Sequence, residues 1–183
     1  MSDERLSPLL NYFDERVMRV FDCQLCRLMF EGDEDMRDSP AENPRAWVLR
    51  GIHDACLDST LMALRDLDDF FTPGRGRPDD LKASVFGFEK NCKFLTASER
   101  ESIDKLVAHS TLRGAQKQPG WDILELVSKG VSQSQNFLDW IIATYPHSYL
   151  CLVAVGTKKT LESRLKYITA EVQKRRIAKA VFH

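Results

Sequence analysis

The chain has 183 residues, 43% hydrophobic and 29% charged, with a net charge of −1. That length suits one domain with a sizeable core. The near-zero charge excludes a bulk field drawing the whole chain onto nucleic acid or a membrane.

The charge is unevenly placed. Residues 1–40 carry ten acids against five bases, and residues 157–183 carry eight bases against two acids, Glu162 and Glu171. The basic C-terminal stretch reads as a solvated face or an ion-pair partner of the acidic N-terminus, with a polyanion as the alternative. Five cysteines, Cys23, Cys26, Cys56, Cys92 and Cys151, are odd in number and scattered. They argue against a disulfide framework and for a reducing, cytoplasmic setting. The opening MSDERLSPLL has acids where a signal peptide carries bases. The apolar run YLCLVAV (149–155) is too short to span a bilayer, so no membrane is expected.

In chain order, Leu6, Leu10, Phe13, Val17, Val20, Phe21 and Leu28 recur at spacings of three and four. They predict a helix from about Ser7 to Phe30 with one apolar face. EGDEDMRDSPAENP (31–44) breaks it with Gly32, Pro40 and Pro44. A second helix runs from about Pro44 to Phe71, with proline in its first turn. Two apolar stripes cover most of it: Leu49, Ile52, Cys56, Ala63, Leu67 and Phe70, then His53, Leu57, Leu61, Leu64 and Phe71. Only a narrow stripe, Arg50, Asp54, Asp58, Arg65 and Asp69, is charged. Such a helix is expected at the centre of its bundle.

TPGRGRPDD (72–80) is a loop, and a short helix is expected from Asp79 to about Phe86. Thr96-x-x-Glu99 is a capping box that starts a helix near Ala97, expected to reach about Leu112. After the loop GAQKQPG (114–120), a long helix runs from Trp121 to Tyr145. YPHSYLCLVAVG reads either as a short buried strand or as the start of the last helix. Thr157 to Val181 is helical, with Leu161, Leu165, Ile168, Val172 and Ile177 as its stripe. The expected fold is one all-α domain over 1–183, an antiparallel bundle of about six helices. Its core lies over about 45–142, with 1–31 and 157–183 as flanking helices.

One segment stands out chemically. IDKLVAHSTLR (103–113) places Lys105, His109 and Arg113 four residues apart on one helix face, with Ser102 a turn earlier. Like charges at that spacing repel, and water, a phosphate or carboxylates from another helix must offset them. The second helix offers Asp54 and Asp58, then Asp69 beside Arg65. A histidine held between carboxylates and bases can work as an acid or base near neutrality. The alternative is a polar network that stitches the bundle without chemistry.

LRGIHDACLDSTLMALRDLDDFF (49–71) followed by IDKLVAHSTLR resembles the two central helices of HEPN proteins, over about residues 45–142. These are all-α bacterial domains found among defence- and toxin-linked ribonucleases. The resemblance implies a dimer that cleaves RNA without metal or cofactor, with His109 in the place of the family histidine. The family's Arg-x(4–6)-His spacing falls on Asp104, Ile103 or Ser102, none of them arginine. Lys105 or Arg113 would then supply the positive charge on the phosphate, as a point charge if lysine. Asp58, Arg65 and Asp69 would orient these side chains.

Other motifs are weaker. His53 on an apolar stripe reads as a core histidine. His53, Asp54 and Asp58 as a metal-dependent hydrolase is a third option, short of the further histidines such a site needs. CQLC (Cys23, Cys26) lacks a second pair for structural zinc and reads as packing. PGRGRP (73–78) lacks the Lys-Ser/Thr end of a phosphate loop, although Arg75 and Arg77 could touch a polyanion. Two functions follow: an HEPN-like RNA-binding protein or metal-independent ribonuclease, and a non-catalytic homodimeric interaction protein in which the His109 face is structural.

Overall fold

The computed structural model describes residues 3–30, 43–74, 80–90, 92–105 and 122–181. These residues form five α-helices and no strand: α1 (Asp3–Phe30), α2 (Pro44–Phe71), α3 (Ala97–Ile103), α4 (Ile123–Thr144) and α5 (Tyr149–Val181). The expected short helix before Phe86 is a single 3-10 turn, Ala83–Phe86. The all-α expectation therefore holds, with five helices and one 3-10 turn among the described residues.

The apolar stripe of α1 packs as its spacing requires. Leu6, Leu10, Phe13, Val17, Val20, Phe21 and Leu28 are all buried. The helix begins at Asp3, ahead of the expected Ser7, and takes Pro8 inside it. Proline there removes one helical bond. Burial of Leu6 anchors the extra turn.

α2 starts on Asn43, whose side chain accepts from the Arg45 N–H at 3.0 Å, with Pro44 at its first position. α3 starts on the complete Thr96/Glu99 capping box. α4 starts on Asp122, which accepts from the Glu125 N–H at 3.0 Å.

The contacts set the directions. Phe13 meets Phe70 and Phe71, Arg16 meets Asp66, and Cys26 meets Cys56. So α1 and α2 run antiparallel. Gly130 lies under Leu64, and Phe137 lies against Phe70 and Phe71, so α4 runs parallel to α2. A turn at 145–148 folds α5 back along α4, where Lys158 pairs with Asp139 at 2.6 Å. Arg164 pairs with Asp22 and closes the ring onto α1. The connection from α2 to α4 must travel back along the bundle, and α3 lies on α2 during that return.

Phe13, Phe70, Phe71, Phe86, Phe88 and Trp140 all surround Phe137 within 6.4 Å between centroids. An added Cβ on Gly130 would sit 3.0 Å from Leu64 and 3.3 Å from Phe94, so glycine permits this close approach of α2 and α4.

Two expectations resolve here. YLCLVAV is the start of α5, because Leu150, Ala154, Thr157 and Leu161 are buried at helical spacing. The stretches expected to flank the core belong to it: α1 and α5 supply buried residues to the same cluster as α2 and α4.

Candidate functional site

The sequence ERESID puts Arg100 and Asp104 one turn apart immediately after the capping box. The box fixes the start of α3, and so fixes which face those two side chains share. That face lies on the RDLDD stretch of α2 (65–69). Arg100 Nη2 donates to Asp69 Oδ2 at 2.8 Å, and Nη1 donates to the Arg65 carbonyl at 3.2 Å. Nη1 also reaches Asp68 Oδ2 at 3.5 Å, and Nε reaches Asp104 Oδ2 at 3.4 Å. Arg65 Nε forms an ion pair with Asp104 Oδ1 at 2.7 Å.

Asp68 is fully buried. Its Oδ1 accepts the backbone N–H groups of Phe94 and Leu95 at 2.9 and 3.1 Å. A buried carboxylate is tolerated when it is both paired and hydrogen-bonded, as here. Burial alone would lower the basicity of Arg100, but Asp69 and Asp104 outweigh it and hold the guanidinium charged. The cluster fastens α3 to α2.

Glu99 ties α3 to α4. Its carboxylate takes the Thr96 N–H at 2.7 Å and Lys129 Nζ at 2.9 Å. Burial pushes the carboxyl up, but the bonds from Lys129 and Thr96 outweigh it and hold Glu99 below its ordinary range.

The site residues expected from sequence separate into four groups. Arg65 and Asp69 are in the cluster just described, joined to Arg100 and Asp104. Lys105 is half exposed and pairs with Glu101, four residues earlier. His109 and Arg113 lie outside the described residues, as do Arg75 and Arg77. Asp58 lies near the middle of α2, where partial loss of water, then the neighbouring Asp54, pushes its carboxyl up. Asp54 itself meets His53 Nδ1 at 3.2 Å. Among the described residues no group of three or more His, Cys, Asp or Glu is arranged to hold a metal ion.

The residues that sequence reading passed over are Arg100, Asp68 and Asp104. A signal existed: an arginine and an aspartate four apart, directly behind a capping box. Asp68 carried none, because one aspartate in RDLDD cannot be told from its neighbours by spacing.

Cys56 is a singleton in the sequence, yet it meets the CQLC pair across the α1–α2 seam. Burial, then its contact with Cys26, pushes the Cys56 thiol up to about 11. Burial also raises Cys23. All five cysteines are reduced and half-buried.

A cavity of about 140 Å³ opens between α1, α2 and residues 80–82, over Phe13 and Phe70. Its polar wall is already engaged. Arg16 pairs with Asp66 at 2.5 Å and lies 4.9 Å from the Tyr12 ring centroid. Lys82 donates to the Asp69 carbonyl at 2.9 Å. Small-molecule sites are usually larger, about 300–1,000 Å³.

No helix among the described residues is long and apolar enough to cross a membrane. No family model, no curated protein and no solved structure matches this chain.

Proposed function

We propose that the protein is a non-catalytic homodimeric interaction module built on an HEPN-like all-α bundle. The observation that carries this reading is the Arg100 cluster. Arg65 and Asp69, the residues expected to orient a catalytic base, are matched to Arg100 and Asp104 inside the fold. They work there as a fastening between α2 and α3. Lys105 is likewise paired with Glu101, four residues earlier. Large apolar side chains, by contrast, stand in solvent on two helices: Trp47 and Val48 on α2, Tyr149 and Leu152 on α5. Exposed apolar groups in a cluster mark surfaces that meet other proteins. The HEPN-like part of the reading rests on the two sequence stretches quoted above, and an all-α fold is what that resemblance implies.

RNA cleavage by His109 with Lys105 and Arg113 is the competing function, and one experiment separates the two. Mixed cellular RNA is incubated with chelator and either the wild type or His109→Ala. The expected result is no cleavage by either protein. Cleavage by the wild type that the variant loses would overturn the non-catalytic reading.

A further inference from the structure

Contacts along the α1–α2 seam share one register. Arg16 pairs with Asp66 at 2.5 Å, and Phe13 meets Phe70 with ring centroids 4.8 Å apart. The two helices run antiparallel. Ten residues further along α1 and ten back along α2, that register brings Cys26 level with Cys56. Their thiols share a hydrogen bond across the seam.

Cys23 stands one turn before Cys26 on the same side of α1. The register sets it level with Ser59, and the Ser59 hydroxyl hydrogen-bonds its sulfur. Cys23 also feels the charge of Cys56. Three of the five cysteines therefore converge on one seam from two helices. Each is half-buried, which leaves part of each side chain within reach of small solutes. A valine would fill any one of these positions as well as a cysteine does. Thiols that touch from two helices add what packing does not need, the ability to join covalently.

We infer that Cys26 and Cys56 form a reversible disulfide that locks α1 to α2 when the protein meets an oxidant. Cys23, held by Ser59, stays outside the bond. The inference is independent of the association reading above.

The oxidant class is a small disulfide, and oxidised glutathione is the probe. The Cys26 thiolate attacks one glutathione sulfur, forms a mixed disulfide and releases one glutathione thiolate. The Cys56 thiolate then attacks Cys26 Sγ and expels the second. The two protein thiols lose two protons and two electrons, and the glutathione disulfide takes up both. Contact with Cys26 is one cause that disfavours the Cys56 thiolate. Capping Cys26 removes its negative charge, so the first step eases the second.

The fold does not depend on the bond, because it is complete with all five thiols reduced. In a reducing compartment such a bond is transient and reports oxidant. It joins residues about 30 apart in the chain, which restricts the unfolded chain and stabilises the folded one. It also pins the last turns of α1 to α2.

The test uses the whole protein at about pH 8, where thiols exchange readily. Excess oxidised glutathione is added, the mixture is quenched with acid, and thiols and disulfides are mapped by mass spectrometry. Two of the five thiols should disappear into one bond between the Cys26 and Cys56 peptides. Excess reduced glutathione should return both. The oxidised protein should unfold at higher urea than the reduced protein, a comparison that needs no variant. Cys56→Ser should retain glutathione on Cys26 and form no internal bond.

A Cys26–Cys56 pair that stays reduced until the protein is unfolded would overturn the inference. So would a bond that joins Cys23 instead, one that lowers the urea midpoint, or one that reduced glutathione cannot open.

Discussion

The two halves of α2 have similar residues and opposite fates. In the C-terminal half, Leu61, Leu64, Leu67, Phe70 and Phe71 are buried against α1 and α4. In the N-terminal half only Ala46 and Leu49 are buried, and Trp47, Val48 and Ile52 face solvent. Hydrophobicity does not separate them. What separates them is which face of the helix each side chain occupies: Ala46 and Leu49 turn inward, while Trp47, Val48 and Ile52 turn outward. An apolar helix face is buried only where another element runs beside it, so the same pattern makes core on one face and leaves large apolar side chains in solvent on another.

The largest effect should come from the buried half. Phe71→Ala removes a ring that touches Phe13, Phe70 and Phe137. It should destabilise the fold by about 3–5 kcal/mol in urea unfolding. Trp47→Ala is the matched substitution in the exposed half and should stay within about 0.5 kcal/mol. Equal losses at the two sites would break the comparison.

Asp68→Ala should follow, at about 3 kcal/mol. It strips Arg100 of one carboxylate and leaves the Phe94 and Leu95 N–H groups without their acceptor. A loss below about 1 kcal/mol would mean that α3 is held to α2 chiefly by other contacts.

The smallest effect lies near the boundary between the halves, at Cys56. Its thiol titrates at about 11 in the fold against an ordinary value of 9.0. The folded-state value is the higher one, so its stabilising contribution is complete below pH 9 and is lost as pH rises from 9 through 11. Cys56→Ser should flatten that part of the stability curve. At pH 8 the wild-type thiol should alkylate about a hundredfold more slowly than an ordinary one. Rapid alkylation would place Cys56 in solvent and move the boundary toward the C-terminus.

Much of the fold was legible in the sequence. All seven residues of the α1 stripe are buried as their spacing required. The Thr96/Glu99 box starts α3 at Ala97 as read. The candidate site was legible only in part. The sequence left open whether the acidic stripe of α2 meets a base from the segment after the capping box; Asp69 meets Arg100 there. The choice between Arg100 and Lys105 depends on which face of α3 turns toward α2.

The sequence by itself determined which residues share a helix face and where α2, α3 and α4 begin, because both are set by contacts within a few residues. Only the tertiary structure decided which faces are covered. It made YLCLVAV the first turns of α5, brought Cys56 to the CQLC pair and left Trp47 and Val48 near the start of α2 in solvent. Each of these depends on where a second helix ends or turns, and that is settled by packing between segments distant in the chain, which local periodicity does not encode.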